Sequence, residues 1–359
     1  ISQLTTLDTH AGPASGVTVV RFSAQTARLN DIAKGVNAPG GAALLGLLGS
    51  LNGWSTVARM QLVGERFVTD GWTTHSGAAF WTDSIGAAPV SKEIVAFVPD
   101  DAAGVLVTQL APAQLRDQLL SLMGGNSASL TEVETKHGFS LEKDLIGSLA
   151  GPAAVYVMPI TGIGLPNVTL VLDLTDAVAF QRGVRGLVAV LSEQGQKVKE
   201  SKYRDAPMWT LAMGEEAAAL PFLSVSPTIF IIGKRALVTL TSLRAKKEVK
   251  RALGEEAANP HPLTKLAVPP PDDAAVVGYM DWAVFIDSLY LAAKGGLALA
   301  GGALGGNVPF DINALGAALP ESATTFTRFF KPTLLWSKSV DGRTLFRYES
   351  SFGPETWLG

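Results

Sequence analysis

Apolar and polar positions alternate in two ways along this 359-residue chain, and the switches between them mark out its elements. Strand-like runs fall at 17–22, 105–107, 154–158, 168–173 and 275–280, and a hairpin is expected over 57–74 with its turn near Gly64-Glu65. A second hairpin is expected in TLLWSKSVDGRTLFRYES, where Asp341-Gly342 is a favourable turn pair. Helical spacing marks 24–34, then a helix opened by Pro112 with Leu115, Leu119 and Leu122 on one face. Ser129 and Glu132 have capping-box spacing for the next helix. Ser140 then caps a short helix that buries Leu141, Leu145 and Leu149 and stops at Gly151-Pro152. A longer helix puts Phe180, Val184, Leu187, Val188 and Leu191 on one face, with Gly195 past its end. Over 243–253 a basic helix turns Ala245, Val249, Ala252 and Leu253 inward. Trp282, Phe285, Ile286 and Leu289 define another helix, and one more begins at Asp311.

Two segments start alike. Pro99-Asp100-Asp101-Ala102-Ala103 leads into GVLVTQL and Pro271-Asp272-Asp273-Ala274-Ala275 into VVGYMDW, an offset of 172. Phe139-Ser140-Leu141 matches Phe310-Asp311-Ile312 at an offset of 171, which points to internal duplication, with a weaker third occurrence at the N-terminus. Helices alternate with hairpins, so the expected class is α+β: repeated strand–helix–helix–hairpin units in largely antiparallel sheets, with helices on one face. Five prolines in NPHPLTKLAVPPPDD suggest a linker at 259–273, between a two-unit region at 1–258 and a final unit at 274–359.

Composition adds a contact surface to this picture. With 47% hydrophobic and only 17% charged residues, more surface than usual must be hidden or face something apolar, a partner or a membrane. A net charge of −3, without basic runs interleaved with aromatics, argues against nucleic acid as a ligand. The chain has no cysteine, which excludes disulfides, thiolate metal sites and cysteine nucleophiles. It begins at Ile1 rather than Met and carries no leader-like segment, which fits either a leader that was removed or one left outside the numbering. The longest uncharged apolar stretch, 295–306, falls short of the roughly 18 to 20 residues of a spanning helix, and no transmembrane span is expected.

The run VPDDAAGVLVTQL, then GFSLEKDLIGSLAGPAAVYV, and the later hairpin with a basic helix resemble a broad family of uncharacterised bacterial proteins, mostly predicted to be exported or membrane-tethered. The resemblance extends over residues 90–350. It implies a periplasmic or cell-surface location and a non-catalytic role, and supplies no functional residues.

Chemical motifs are weak beside their structural readings. Ser140-Leu141-Glu142-Lys143 fits the S-x-x-K pattern of acyl-transfer serines, but S-D-N-like and K-T-G partners are missing and Ser140 has a capping role. His10, His75, His137 and His261 lack partners at helical metal-site spacing, so no metal is expected. Asp173 ends a strand, Asp176 caps a helix, and the two Asp-Asp pairs are turn residues leading into strands. RAKKEVKR (244–251) reads as a solvated helix face before a phosphate or anionic-lipid patch. Gly162 and Gly164 lack the third glycine of a dinucleotide loop, and no cofactor is expected.

What stands out instead is GGLALAGGALGG at 295–306, placed after the first helix of its unit, and PGGAALLGLLGSLNG at 39–53 in the equivalent place. Either both fold as short helices against their own sheet, or Leu297, Leu299 and Leu304 with Leu44, Leu45, Leu47 and Leu48 form an exposed apolar surface. Such a surface would dock a partner protein or a second copy, or touch lipid. The function expected is that of a non-enzymatic, exported interaction subunit of a bacterial assembly. The alternatives are a binder of lipid or another apolar ligand and, after it, a hydrolase.

Overall fold

The computed structural model describes residues 18–23, 55–74, 88–115, 127–161, 166–212, 225–255, 263, 269–304 and 317–351. Thirteen strands form one sheet in which every pairing is antiparallel. In chain order they are β1 (Thr18–Ser23), β2 (Ser55–Val63), β3 (Arg66–Thr74), β4 (Gly104–Gln109), β5 (Leu149–Met158), β6 (Asn167–Leu174) and β7 (Lys197–Tyr203). After them come β8 (Ala206–Ala212), β9 (Thr228–Ile232), β10 (Arg235–Thr239), β11 (Val276–Met280), β12 (Thr333–Val340) and β13 (Arg343–Ser350). Their spatial order is β1-β2-β3-β13-β12-β11-β4-β5-β6-β10-β9-β8-β7. The α+β class therefore holds, with a sheet larger than any single hairpin unit implies. The expected turns form at Gly64 (φ 60°) and at Asp341-Gly342 (φ 50° and 71°), the left-handed conformations that tight hairpins require.

The centre of the sheet is the pairing of β4 with β11. Leu106 lies opposite Gly278, Gly104 opposite Met280 and Thr108 opposite Val276. Outside the ladder, Gln109 N donates to Ala275 O at 3.3 Å and Asp281 N to Ala103 O at 2.7 Å. β11 is thus held by β4 and by β12, and one sheet runs across the division expected at 259–273.

A register row crosses the sheet from Arg59, Asp70 and Arg347 through Trp336, Val277 and Val107 to Ala154, Val171, Leu237, Phe230 and Met208. Directly opposed residues share a face, so this row belongs to one side of the sheet. On that side the core also includes Ile94 of α1 (Lys92–Phe97) and Ala245 and Val249 of α4 (Ser242–Ala252). Neighbouring strand positions such as Ala236, Ile231 and Trp209 point the other way. They pack with Phe139, with Leu145 of a π-helical turn (Leu141–Ile146) and with Phe180 and Val184 of α3 (Ala177–Glu193), beside α2 (Ser127–His137). Helices therefore cover both faces, not one as expected, because α3 and α4 meet alternate residues of the same strands.

Two local expectations also change. Leu149 opens β5 rather than ending a helix, and Gly151-Pro152 lies inside that strand, where a register shift between Leu149 and Ala153 absorbs the irregularity. Leu253 is 48% exposed, since it falls just beyond α4 instead of on its buried face. The helices expected at 24–34 and from Asp311, and Phe310 as the match of Phe139, lie outside the described residues.

Glycine lets α3 approach the π-helical turn. A Cβ at Gly186 would lie 2.2 Å from Phe139 Cδ1, and one at Gly183 would lie 2.6 Å from Leu145 Cγ. Gly186→Ala is therefore expected to cost about 1–3 kcal/mol in urea denaturation through forced repacking. A Cβ at Gly296 meets nothing within 4 Å, so Gly296→Ala should be neutral or stabilise by about 0.5–1 kcal/mol.

Candidate functional site

The strongest departure from ordinary soluble packing is α5 (Trp282–Leu304), 23 residues long. Asp281 starts it, its carboxylate accepting from Val284 N at 3.1 Å. Trp282 Nε1 donates to Thr333 Oγ1 at 3.0 Å and ties the first turn to β12. The expected break at Gly295 does not occur. The glycine–leucine stretch continues the preceding helix to Leu304 and is neither a separate connection nor a separate short helix. The 18 residues Trp282–Leu299 have a mean hydropathy of 1.3, long and apolar enough by length and composition to cross a membrane, and 11% of them are buried.

Val284, Leu289, Leu291 and Leu299 are 42 to 55% exposed. Leu289 and Leu291, two residues apart, face roughly opposite sides of the helix. The polar side chains keep to another strip. Asp287 Oδ1 accepts from Ala323 N at 2.7 Å, Tyr290 Oη donates to Pro320 O at 2.8 Å, and Lys294 Nζ donates to Pro320 O at 2.9 Å and Leu319 O at 3.2 Å. The segment just before α6 (Thr324–Thr327) thus receives the polar strip, and among the described elements α6 is the one on which α5 packs appreciably. Of the expected interface residues, Leu299 is exposed and Leu297 half-buried on α5. Leu304 ends the helix, with its side chain outside the described residues, as are Leu44, Leu45, Leu47 and Leu48 altogether.

The S-x-x-K residues line an open cleft of about 450 Å³ with Glu134, Phe139, Asp144 and Arg182. Ser140 Oγ accepts from Lys143 N at 3.2 Å, the capping role the sequence suggested. Asp144 is the better-held group there. Its carboxylate takes Ser140 N at 2.8 Å and two bonds from Arg182, at 2.6 and 3.0 Å, and the Arg182 bond holds its pKa below the ordinary value. These contacts fasten the π-helical turn to α3. Asp176 caps α3 through Val178 N and Ala179 N, and Asp173 pairs with Arg235 at 2.8 Å. His137 lies 3.4 Å from Glu193, and the other three histidines are outside the described residues. Among the described residues no cluster of metal-ligand type occurs.

Two buried charge clusters escaped the sequence reading. On α4 the expected solvated face holds for Lys246 and Lys247, but Arg244 is 8% exposed and Glu248 is fully buried. Glu248 pairs with Arg244 and with Arg251, whose Nε lies 3.0 Å away. Arg251 also donates to Tyr156 Oη at 3.1 Å and to Phe97 O, and its guanidinium sits 4.2 Å above the Phe97 ring. Burial, reinforced by Glu248, pushes the Tyr156 hydroxyl far above its ordinary pKa. In the second cluster Arg59, Asp70 and Arg347 are direct neighbours on β2, β3 and β13, and burial raises the Asp70 pKa despite both arginines. The available signal for the first was Glu248, four residues after Arg244 and three before Arg251.

No protein-family model matches the chain, and no curated protein matches it. A solved structure described as "Structure of crystal form I of TP0453" is similar at 11% identity, over 75% of this chain and 84% of that one, with a TM-score of 0.33.

Glu248→Ala leaves two buried arginines without their shared carboxylate and is expected to cost about 3–5 kcal/mol in urea unfolding. Replacing Arg244, Glu248 and Arg251 together by apolar residues should recover much of that loss, and a triple variant as weak as the single one would contradict the account. Asp144 predicts an acid dependence. Its folded pKa lies below the unfolded one, so its contribution is complete above about pH 4 and declines as pH falls through the lowered folded value. Asp144→Asn should flatten the acid limb of stability against pH and leave the alkaline limb unchanged, and an unaltered acid limb would refute that role.

Proposed function

We propose that this chain is a non-enzymatic, extracytoplasmic interaction subunit of a bacterial assembly, and that α5 is its contact element. One observation carries the proposal: a 23-residue helix exposes leucines over a broad face and buries only a small part of its apolar window. Val284, Leu289, Leu291 and Leu299 form one broad exposed face beside the strip of Asp287, Tyr290 and Lys294, and an apolar face of that width normally lies against a core or another apolar environment. The sheet does not supply that environment, because Trp282 makes the tie to β12 while the polar strip is taken by 319–323. The extracytoplasmic placement draws on the family resemblance.

We further infer that the segments beginning at Pro99 and Pro271 are duplicated units. Ala102 N bonds back to Pro99 O at 3.2 Å, and Ala274 N to Pro271 O at 3.0 Å. Ala103 N then donates to Val157 O and Ala275 N to Ser337 O, each at 2.8 Å. Residues at the offset of 172, Leu106 and Gly278, face each other directly, so a local two-fold axis passes between them.

Leu291→Asp with Leu299→Asp is expected to change the unfolding free energy by no more than about 0.5 kcal/mol, as for surface positions. A photo-cross-linking residue in place of Leu299 should form adducts with a neighbouring molecule in cells, and the added Leu291→Asp should abolish them. Absence of adducts together with a loss of about 2 kcal/mol or more would place these leucines in the protein's own core and overturn the reading.

A further inference from the structure

We propose that α4 and the edge strand β7 form a second contact surface, one without any part of α5, that docks the chain on a membrane containing anionic phospholipid. The sheet brings the two elements to one side. Ser201 of β7 lies opposite Met208, whose face is the one α4 covers, so Lys197 and Lys199, at alternate positions from Ser201, share that face. Tyr203 continues the alternation, and Lys246 Nζ of α4 lies 5.7 Å from its ring. On α4, Leu243, Lys246, Lys247 and Lys250 fall within an arc of about 100°, turned away from the buried Ala245 and Val249, and Leu253 just past the helix widens it. Leu243 is 79% exposed and Leu253 48%. Lys197, Lys199, Lys246 and Lys247 are exposed and Lys250 is half-buried, in a chain whose net charge is −3.

The state of the neighbouring charges decides the kind of partner. The arginines around the patch already hold carboxylates: Arg244 and Arg251 share Glu248, Arg204 pairs with Glu255 at 3.1 Å, and Arg185 pairs with Glu200 at 3.2 Å. Among the described residues none of the five lysines has a carboxylate within ion-pair distance, and of the acids in 197–205 and 242–255 only Asp205, in the β7–β8 turn, is left over. Protein interfaces favour arginine and aromatic rings and are poor in lysine. Here the free cations are all lysines, and Tyr203 beside them is half-buried. A lysine ammonium is a hydrated point charge on a flexible stem and needs no fixed acceptor geometry, which suits headgroup phosphates that shift in the plane of a bilayer. The leucines at the two ends of the row complete the pattern, since apolar tips enter the headgroup boundary while the lysines stay level with the phosphates.

The full chain is floated with phosphatidylcholine vesicles, with and without about 30% phosphatidylglycerol, and the readout is the ratio of the two affinities, in which apolar contact by α5 cancels. At about 0.1 M salt the anionic vesicles should bind roughly 100-fold more tightly, and about 0.5 M salt should remove most of that preference. Lys197→Gln/Lys199→Gln/Lys246→Gln/Lys247→Gln/Lys250→Gln should abolish the preference with the unfolding midpoint unchanged, whereas arginine at the same positions should retain it. Leu243→Ala with Leu253→Ala should weaken binding to the anionic vesicles several-fold and leave its salt dependence in place. If the glutamine variant fails to fold, Lys246→Gln/Lys247→Gln decides, with an expected loss of roughly 20-fold in the ratio. Equal affinity of the wild type for both kinds of vesicle, or an undiminished preference in the folded glutamine variant, overturns the proposal. So does a wild type that ignores anionic vesicles and binds polyglutamate through the same lysines, which would make this a protein site. None of these outcomes touches the docking role of α5.

Discussion

The whole sheet depends on the ladder between β4 and β11, strands more than 160 residues apart in the chain. Each carries its own outer set of strands: β5, β6, β10, β9, β8 and β7 beyond β4, and β12, β13, β3, β2 and β1 beyond β11. Without this ladder there would be two smaller sheets, each with an open edge of unpaired amides and carbonyls. The junction is built for close contact. Gly278 faces Leu106 with ordinary room for the leucine, and Met280 lies so near Gly104 that a Cβ there would reach 2.4 Å from its sulfur. Small residues on one strand accept large ones from the other.

From that junction the faces follow by alternation. Residues in register with Val107 and Val277 extend one face outward, apolar as far as Met208 on one side and turning ionic at Arg347, Asp70 and Arg59 on the other. The ionic end is not simple stabilisation. Burial raises the Asp70 pKa in spite of two arginines, so desolvation outweighs their attraction there. Glu248 under α4 is held by the same balance, with Arg244 and Arg251 gripping its carboxylate and the Phe97 ring covering Arg251.

Local patterns were legible in the sequence because they are decided locally. The hairpin turns at Gly64 and Asp341-Gly342, the caps at Ser140 and Asp176, and the turns after Pro99 and Pro271 each need only a few neighbouring residues. The face on which a helix settles is decided by distant strands, so nothing near α3 or α4 announces that they lie on opposite sides. Arg244–Arg251 likewise reads as a basic stripe, and the burial of Arg251 becomes visible only when Tyr156 and Phe97, 95 and 154 residues away, are brought to it. Gly295 and Gly296 misled in the opposite direction. Two glycines cost a helix roughly 2 kcal/mol against alanine, and the stretch they open was placed after the helix, yet the bonds of Lys294 to Leu319 and Pro320 hold the adjoining turn in place.

The manner of that attachment separates α5 from the rest of the fold. Elsewhere helices are fixed by apolar side chains driven into the sheet, as Ala245 and Val249 are under α4 and Phe180 and Val184 under α3. α5 reverses the arrangement: polar groups make its internal attachments, at Trp282, Asp287, Tyr290 and Lys294, and its leucines are left outside. Folding of the sheet therefore places little demand on Leu289, Leu291 or Leu299. At 42 to 55% exposure these leucines and Val284 gain only part of the roughly 1.5–3 kcal/mol each that full burial would contribute. An arm with its polar atoms turned inward and its apolar atoms outward keeps the contacts that fix it to the fold separate from the surface it leaves exposed.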